Sequence, residues 1–308
     1  MQQRAWLVVL VVVFLLGLCT FALLIGAGGA WLIARQVRLA QTQAFSTLLP
    51  PSTPSPAAEE ETPTPTLPAP TLTTTPTPPP TPFVTEPPPN VDFNGIRFYL
   101  DVQLAQGVLP ELVAASPGDA EEAYPGSVYP EFTRFTFQGY ILRNTTQTPS
   151  LSVYPLPEYR SMDRLVDEVA DSLLRLLQAR PLTAEDLPYL PPPPAAQLIQ
   201  SNLRYVEFKN GDGLRYLTQF AQGFWPINNQ DLFYTYQGVT RDQNWYVVAI
   251  LPVAHPSLPP NVGSEELNLA DPAGYYAEIE AQLSALPDDS FVPSLDLLDS
   301  LIASLRIR

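Results

Sequence analysis

Val206–Leu217 reads VEFKNGDGLRYL, and the fold turns on whether its centre holds an ion or reverses the chain. Asn210-Gly211-Asp212-Gly213 has the glycines and the acid of an ion loop. A phosphate loop, however, needs G-x-x-x-x-G-K-[ST] opening a helix, and no Lys follows here. A dinucleotide loop needs a third glycine. A calcium loop needs ligands at alternate positions and a closing Glu, and only Asn210 and Asp212 are on offer. Asn-Gly and Asp-Gly are, by contrast, the preferred residues of tight hairpin turns. The flanks alternate as paired strands do: Tyr205, Glu207 and Lys209 on one side, Leu214, Tyr216 and Thr218 on the other. The stretch predicts a β-hairpin turning at Asn210–Gly213.

Strand patterns continue outward from it. Phe233, Thr235 and Gln237 alternate with Tyr234, Tyr236 and Gly238, and after a polar turn at Arg241–Asn244 a second run follows from Trp245 to Leu251. That run is apolar at both parities, which suits the middle of a sheet covered on both sides. Upstream, Ile96, Phe98, Leu100, Val102 and Leu104 share one parity, Phe135, Phe137 and Ile141 share another, and Ser150–Leu156 reads as a third strand ended by prolines. Met162, Leu165, Val166, Val169, Leu173, Leu176 and Leu177 recur at helical spacing, with Ser161 as the expected N-cap and Pro181 as the stop. Asp271 followed by Pro272 opens a second helix, and Ser294 caps a last one. Antiparallel strands with helices before and after them predict an α+β domain, a curved antiparallel sheet with helices packed on one face.

This domain, residues 91–308, follows two very different zones. Residues 5–34 hold no charged side chain, with Trp6 and Trp31 near the ends. As a helix they span ~45 Å, more than the ~30 Å hydrocarbon core, and they exceed the ~7–15 residues of a signal-peptide core. They predict one retained transmembrane helix that anchors the chain in the lipid bilayer. The run Leu16-Gly17-Leu18-Cys19 departs from a lipoprotein box at Leu18 and continues apolar past Cys19. Residues 1–4 form a short cytoplasmic N-terminus in this reading, and residues 35–49 a juxtamembrane segment.

Residues 50–90 form a linker in which Pro50–Pro89 contributes sixteen Pro and eleven Thr. Proline lacks the N–H and fixes φ, so the segment predicts a disordered stalk with a reach of up to ~120 Å. Anchor, stalk and domain in that order place residues 91–308 outside the cytoplasmic membrane. PxxP recognition by SH3-like partners is the weaker reading, because any Pro-dense segment contains such spacings.

Composition excludes several chemistries. The net charge is −15, with one Lys, and residues 91–308 carry 27 acids against 13 bases. Such a surface repels nucleic acid. The single cysteine, Cys19, lies in the apolar run, and the single histidine is His255, so disulfides, Cys- or His-rich metal sites and H-E-x-x-H are absent. No G-x-S-x-G accompanies His255. The composition implies no metal and no cofactor. Asp288, Asp289, Asp296 and Asp299 attract calcium weakly at most and read as caps or solvated acids. Asn144-Thr145-Thr146 is a glycosylation sequon where the host glycosylates.

Trp225, Tyr234, Tyr236, Trp245, Tyr246, Tyr275 and Tyr276 sit mostly at core periodicity. The loop GFWPINNQD, Gly223–Asp231, is the best recognition candidate, because Trp225 stands beside Asn228, Asn229 and Asp231. The segments FKNGDGLRYLTQF, PINNQDLFYTYQGVT and ILPVAHPSLP resemble parts of membrane-anchored bacterial proteins with a similar stalk, a resemblance that implies no activity. The ending LDLLDSLIASLRI is similar in architecture to the close of PsbP-like α/β sandwiches. The leading expectation is a membrane-anchored, extracytoplasmic and non-enzymatic module that binds a protein, a peptide or an envelope component, with an envelope protein or a glycan as the candidate ligand. The alternatives are a carboxylate-dependent hydrolase acting on glycans and an assembly factor for a membrane complex.

Overall fold

The computed structural model describes residues 87–118, 126–184, 186–261 and 271–308. The expected membrane helix, the juxtamembrane segment and the linker as far as residue 86 lie outside them. No helix among the described residues is long and apolar enough to cross a membrane.

Two short strands, β1 (Val91–Phe93) and β2 (Ile96–Phe98), open the domain and pair across Asn94-Gly95, both at positive φ. The alternating run breaks after Phe98. Asp101 accepts Gln103 N on its side chain, and Leu104 N and Ala105 N on its carbonyl. A local turn therefore replaces the ladder expected through Leu104, and Val102 is 84% exposed. The chain then enters β3 (Gly107–Val113), which the pattern of exposed residues had concealed.

After β3 come β4 (Phe132–Gln138) and β5 (Ser150–Pro155), then α1 (Leu156–Met162) and α2 (Arg164–Ala179). The N-cap of the long helix is Asp163, whose side chain accepts Leu165 N, and not Ser161. Ser161 lies inside the preceding helix, and its hydroxyl donates to Glu158 O. Arg180 closes α2 in the left-handed region, ahead of Pro181.

The rest of the sheet comes from β7 (Ser201–Phe208), β8 (Gly211–Thr218), β10 (Phe233–Thr240) and β11 (Trp245–Pro252), while β6 (Ala196–Gln197) and β9 (Phe220–Ala221) pair with each other as a separate two-stranded sheet. Helix α3 (Pro272–Ser284), a 3-10 turn at Asp288–Ser290, α4 (Leu295–Ser304) and β12 (Arg306–Ile307) complete the chain. Asp271 accepts Gly274 N and Ser294 accepts Leu297 N, so both expected caps form.

Seven strands make one antiparallel sheet in the order β3-β4-β5-β11-β10-β8-β7. Each face carries its own core. On the first face Leu217, Tyr234, Tyr236, Val247, Ala249 and Leu251 pack against Leu283 of α3, Leu298 and Ile302 of α4, and Ile96, Phe98 and Ile307 of the small β1-β2-β12 sheet. On the second face Leu214, Tyr216, Val239, Tyr246 and Val248 pack against Tyr159 of α1 and Val166, Ala170 and Leu173 of α2. The expectation of helices on one face is thus corrected. Strands apolar at both parities need a cover on each side, and the N-terminal and C-terminal helices supply one each.

The edge strand β3 carries Pro110. Phe137 N donates to Pro149 O, so the odd residues of β4 bond toward β5 and the even ones toward β3. Gly107, Leu109 and Glu111 oppose those even residues, which places Pro110 in the outward register. A missing N–H on the open side blunts the edge against another strand.

The VEFKNGDGLRYL hairpin forms, with its turn two residues earlier than expected. Phe208 pairs with Gly211, Glu207 with Asp212 and Val206 with Gly213, so the two-residue turn is Lys209-Asn210. Gly211 and Gly213 are strand residues without positive φ. They are needed for space. A Cβ on Gly211 would enter the ring of Phe208 and press on the carbonyl of Val239, and one on Gly213 would come within 2.6 Å of Gln237 O and meet the Tyr236 phenol. Tyr236 lies across Gly213 and Gly238, and its hydroxyl donates to Val206 O at 3.0 Å. Asn210 leaves the turn to bind β12: its Nδ2 donates to Ile307 O, and its Oδ1 accepts Ile307 N. Asp212 pairs with Arg180 at the end of α2.

Gly211→Val is expected to cost about 2–3 kcal/mol, because the added carbons overpack a strand whose neighbours include backbone. Asp212→Ala is expected to cost less than about 1 kcal/mol, since its partner Arg180 is 43% exposed. Urea unfolding of both variants checks the order; equal losses would contradict it.

Candidate functional site

The loop that leaves β9 is held from three directions. Gln219, fully buried, accepts Asn228 N and donates to Pro226 O. The Asn228 side chain, also fully buried, donates to Pro226 O and to Asp231 Oδ2 at 2.7 Å, while its Oδ1 accepts Gln230 N and Asp231 N. From α3, Tyr276 Oη accepts Trp225 N and donates to Trp225 O, and Tyr275 Oη accepts Ile227 N. Burial raises the Tyr276 phenol above its ordinary pKa, so it stays a neutral donor and acceptor. Asn229 braces the neighbouring loop: its amide donates to His255 O and Leu258 O, and its carbonyl oxygen accepts His255 N.

The four residues singled out from sequence therefore divide. Trp225 and Asp231, both half-buried, line a pocket of about 450 Å³ together with Phe220, Ala221, Gln222 and Gly223. Asn228 and Asn229 turn inward and hold the loop. Phe224, 41% exposed, stands beside the pocket on the loop. Phe220 reaches back to Tyr189, 4.7 Å between ring centres, and to Phe233.

The other aromatics of the sheet are core. Tyr234, Tyr236 and Tyr246 are fully buried, and their hydroxyls donate to Asp299, Val206 O and Gln237. His255 makes a local turn: Ser257 N donates to its Nδ1, Ser257 Oγ lies 2.8 Å from the same nitrogen, and the ring rests on Phe291. Among the described residues no carboxylate bonds to its ring, so it lacks the orienting acid of a triad.

At a second place the sequence had singled out the acids, Asp288, Asp289, Asp296 and Asp299, but not the arginines that meet them. Arg215, on the first face of β8, is 1% exposed. Its guanidinium meets Asp288 Oδ2 at 2.7 Å and Asn202 O, and its Nε lies 3.3 Å from Asp299 Oδ1 without the alignment of a hydrogen bond. Arg204 of β7 adds contacts to Asp288, Asp299 and Asp296 at 2.5, 3.1 and 3.3 Å. Asp299 also accepts from Tyr234 Oη. Asp288, Asp289, Asp296, Arg204 and Arg215 line a pocket of about 500 Å³.

The carboxylates of Asp288, Asp296 and Asp299 come within 4.8 Å of one another, as a cation site or an acid/base pair would require. Two guanidiniums already lie among them, and their charge opposes a further cation. The cluster ties the C-terminal helices to β7 and β8. The sequence signal that could have found it was Arg215 itself, an Arg on a face otherwise apolar.

Removing one partner of such a pair leaves an uncompensated buried charge. Arg215→Ala is expected to lose about 3–5 kcal/mol of stability, and Arg204→Ala, at 49% exposure, distinctly less; denaturant titration compares them. The Asp299 carboxyl is raised above its ordinary value, chiefly by burial, which outweighs Arg215 and the Tyr234 hydroxyl. A raised folded pKa means the folded state keeps its proton longer. The group therefore favours folding below the usual Asp value, and that contribution is lost as pH rises through the folded value. The stability difference, wild type minus Asp299→Asn, should fall as pH rises from about 3 to about 6. A difference that grows with pH would show that the two arginines dominate instead.

Comparison of the chain with protein-family models, with curated proteins and with solved structures gave no match.

Proposed function

We propose that residues 91–308 are the extracytoplasmic, non-enzymatic binding module of a single-pass membrane protein, held off the bilayer by the Pro/Thr-rich stalk, and that its recognition surface is the loop Gly223–Asp231. The observation that supports this reading is the loop's combination of internal fixation and outward aromatics. Gln219, Asn228, Tyr275 and Tyr276 hold its backbone, while Phe224 stays exposed and Trp225 and Asp231 line an open pocket. A loop fixed before binding loses little conformational entropy on binding, and Trp and Phe concentrate contact energy in recognition surfaces.

The stalk after the apolar run is what favours this orientation. The flanking charges do not: Arg4 stands against Arg35 and Arg38, a slight lean the other way, but large following domains translocate largely regardless of such charges.

The hydrolase reading has one observation in its favour, the approach of Asp288 to Asp299 beside the 500 Å³ pocket. Charge balance weighs against it. A general acid and base need carboxylates free to exchange protons, and Arg215 and Arg204 engage both of these.

The test is capture from an envelope extract by the full-length protein in detergent, run beside glycoside and ester hydrolysis assays. A saturable partner should bind the wild type and lose about tenfold or more in affinity to Trp225→Ala, as expected of a hot-spot aromatic. Turnover that survives purification and disappears with Asp288→Asn would replace the binding reading by the hydrolase one. Protease treatment of intact cells should remove the domain; full protection would reverse the orientation.

A further inference from the structure

Resting on the reading of the Gly223–Asp231 loop as a recognition surface, we propose that its pocket receives the cationic side chain, Lys or Arg, of a basic segment of a partner protein. Asp231 is the sole charged residue among the six that line the pocket. Two of the other five, Phe220 and Trp225, are aromatic. Among the described residues no ion pair reaches Asp231, and no Lys or Arg lines the cavity.

The carboxylate is also set in place before any ligand arrives. Asn228 Nδ2 holds Oδ2 at 2.7 Å, and Asn228 is itself fully buried and fixed by Gln219 and Pro226. That leaves the Asp231 oxygens to meet an incoming donor without reordering the loop.

A neutral ligand that covered this pocket would strip water from an anion with no countercharge, which costs free energy. A cation reverses that cost. An ammonium or guanidinium between Asp231 and the indole gains a charge-assisted hydrogen bond and the attraction of the ring face. The surrounding field acts the same way: residues 91–308 carry 27 acids and 13 bases, a net −14, which speeds encounter with a basic partner and slows encounter with an acidic one.

The full-length chain, labelled with 5-fluorotryptophan and held in neutral detergent micelles, tests the assignment by 19F NMR. Trp225→Phe identifies the Trp225 resonance among the four Trp signals. The titrants are acetyl-Gly-Arg-Gly-amide, its Lys analogue, its uncharged norleucine analogue and a neutral glycan fragment. Saturable shifts of the Trp225 signal are expected with Arg and Lys and not with norleucine.

Asp231→Asn should weaken the Arg peptide about tenfold, the loss of one charge-assisted contact. Glu131→Gln, the same charge change at an exposed residue away from the pocket, should leave affinity within about twofold. Equal binding of the norleucine peptide overturns the proposal, as does equal weakening by Glu131→Gln. A response to the glycan or norleucine titrant without one to Arg or Lys overturns the cation assignment and leaves the recognition surface standing. Unaltered capture of the envelope partner by Trp225→Ala removes the surface itself.

Discussion

Every residue of β10, Phe233–Thr240, is buried, and a strand buried on both faces sets the terms for the rest of the domain. Side chains alternate across a sheet, so one cover cannot satisfy both parities. The domain meets this with two unrelated layers. Helices α1 and α2 and the segment through Leu187 and Leu190 lie over Tyr216, Val239 and Tyr246, while α3, α4 and the small sheet lie over Leu217, Tyr234 and Tyr236. The helices before and after the central strands are thereby committed to opposite sides of one sheet, while the two ends of the domain meet in the small β1-β2-β12 sheet on the first side, and the central hairpin shares in both cores.

The first face also has to accommodate a charge. Arg215 occupies a core parity of β8, where a guanidinium cannot remain without partners. Asp288 and Asp299 answer it from the C-terminal elements, with Arg204 balancing the acids from the next strand. A buried network of this type adds little net stability compared with an apolar core, yet it is costly to break. It ties the 3-10 turn through Asp288, and α4 through Asp299, to β7 and β8.

Hairpins, caps and helical stripes could be read from the sequence because they are local. Asp271 with Pro272 and Ser294 act where their spacing placed them. The strand after Phe98 could not be read, because Asp101 diverts the backbone into a turn that the apolar alternation hides. Nor could the purpose of Gly211 and Gly213. As residues they match a hairpin turn, and only the Phe208 and Tyr236 rings lying over them explain their place in a strand. In the loop after β9, composition singled out nine residues, and burial separated Asn228 and Asn229, which hold the loop, from Trp225 and Asp231, which line its pocket.

By itself the sequence determined what depends on neighbours along the chain: the α+β class, the antiparallel hairpins, the starts of the last two helices, and a count of one Cys and one His that leaves no multi-Cys or multi-His site within the chain. Periodicity and composition are local quantities, and they suffice for such statements. Tertiary structure alone decided which face each helix covers, that Arg215 meets Asp288 and Asp299 across 73 and 84 positions of chain, and that Asp231 in a polar loop stands without a countercharge among the described residues. These depend on packing and on the burial of charge, which are set by distance in space and carry no period along the sequence.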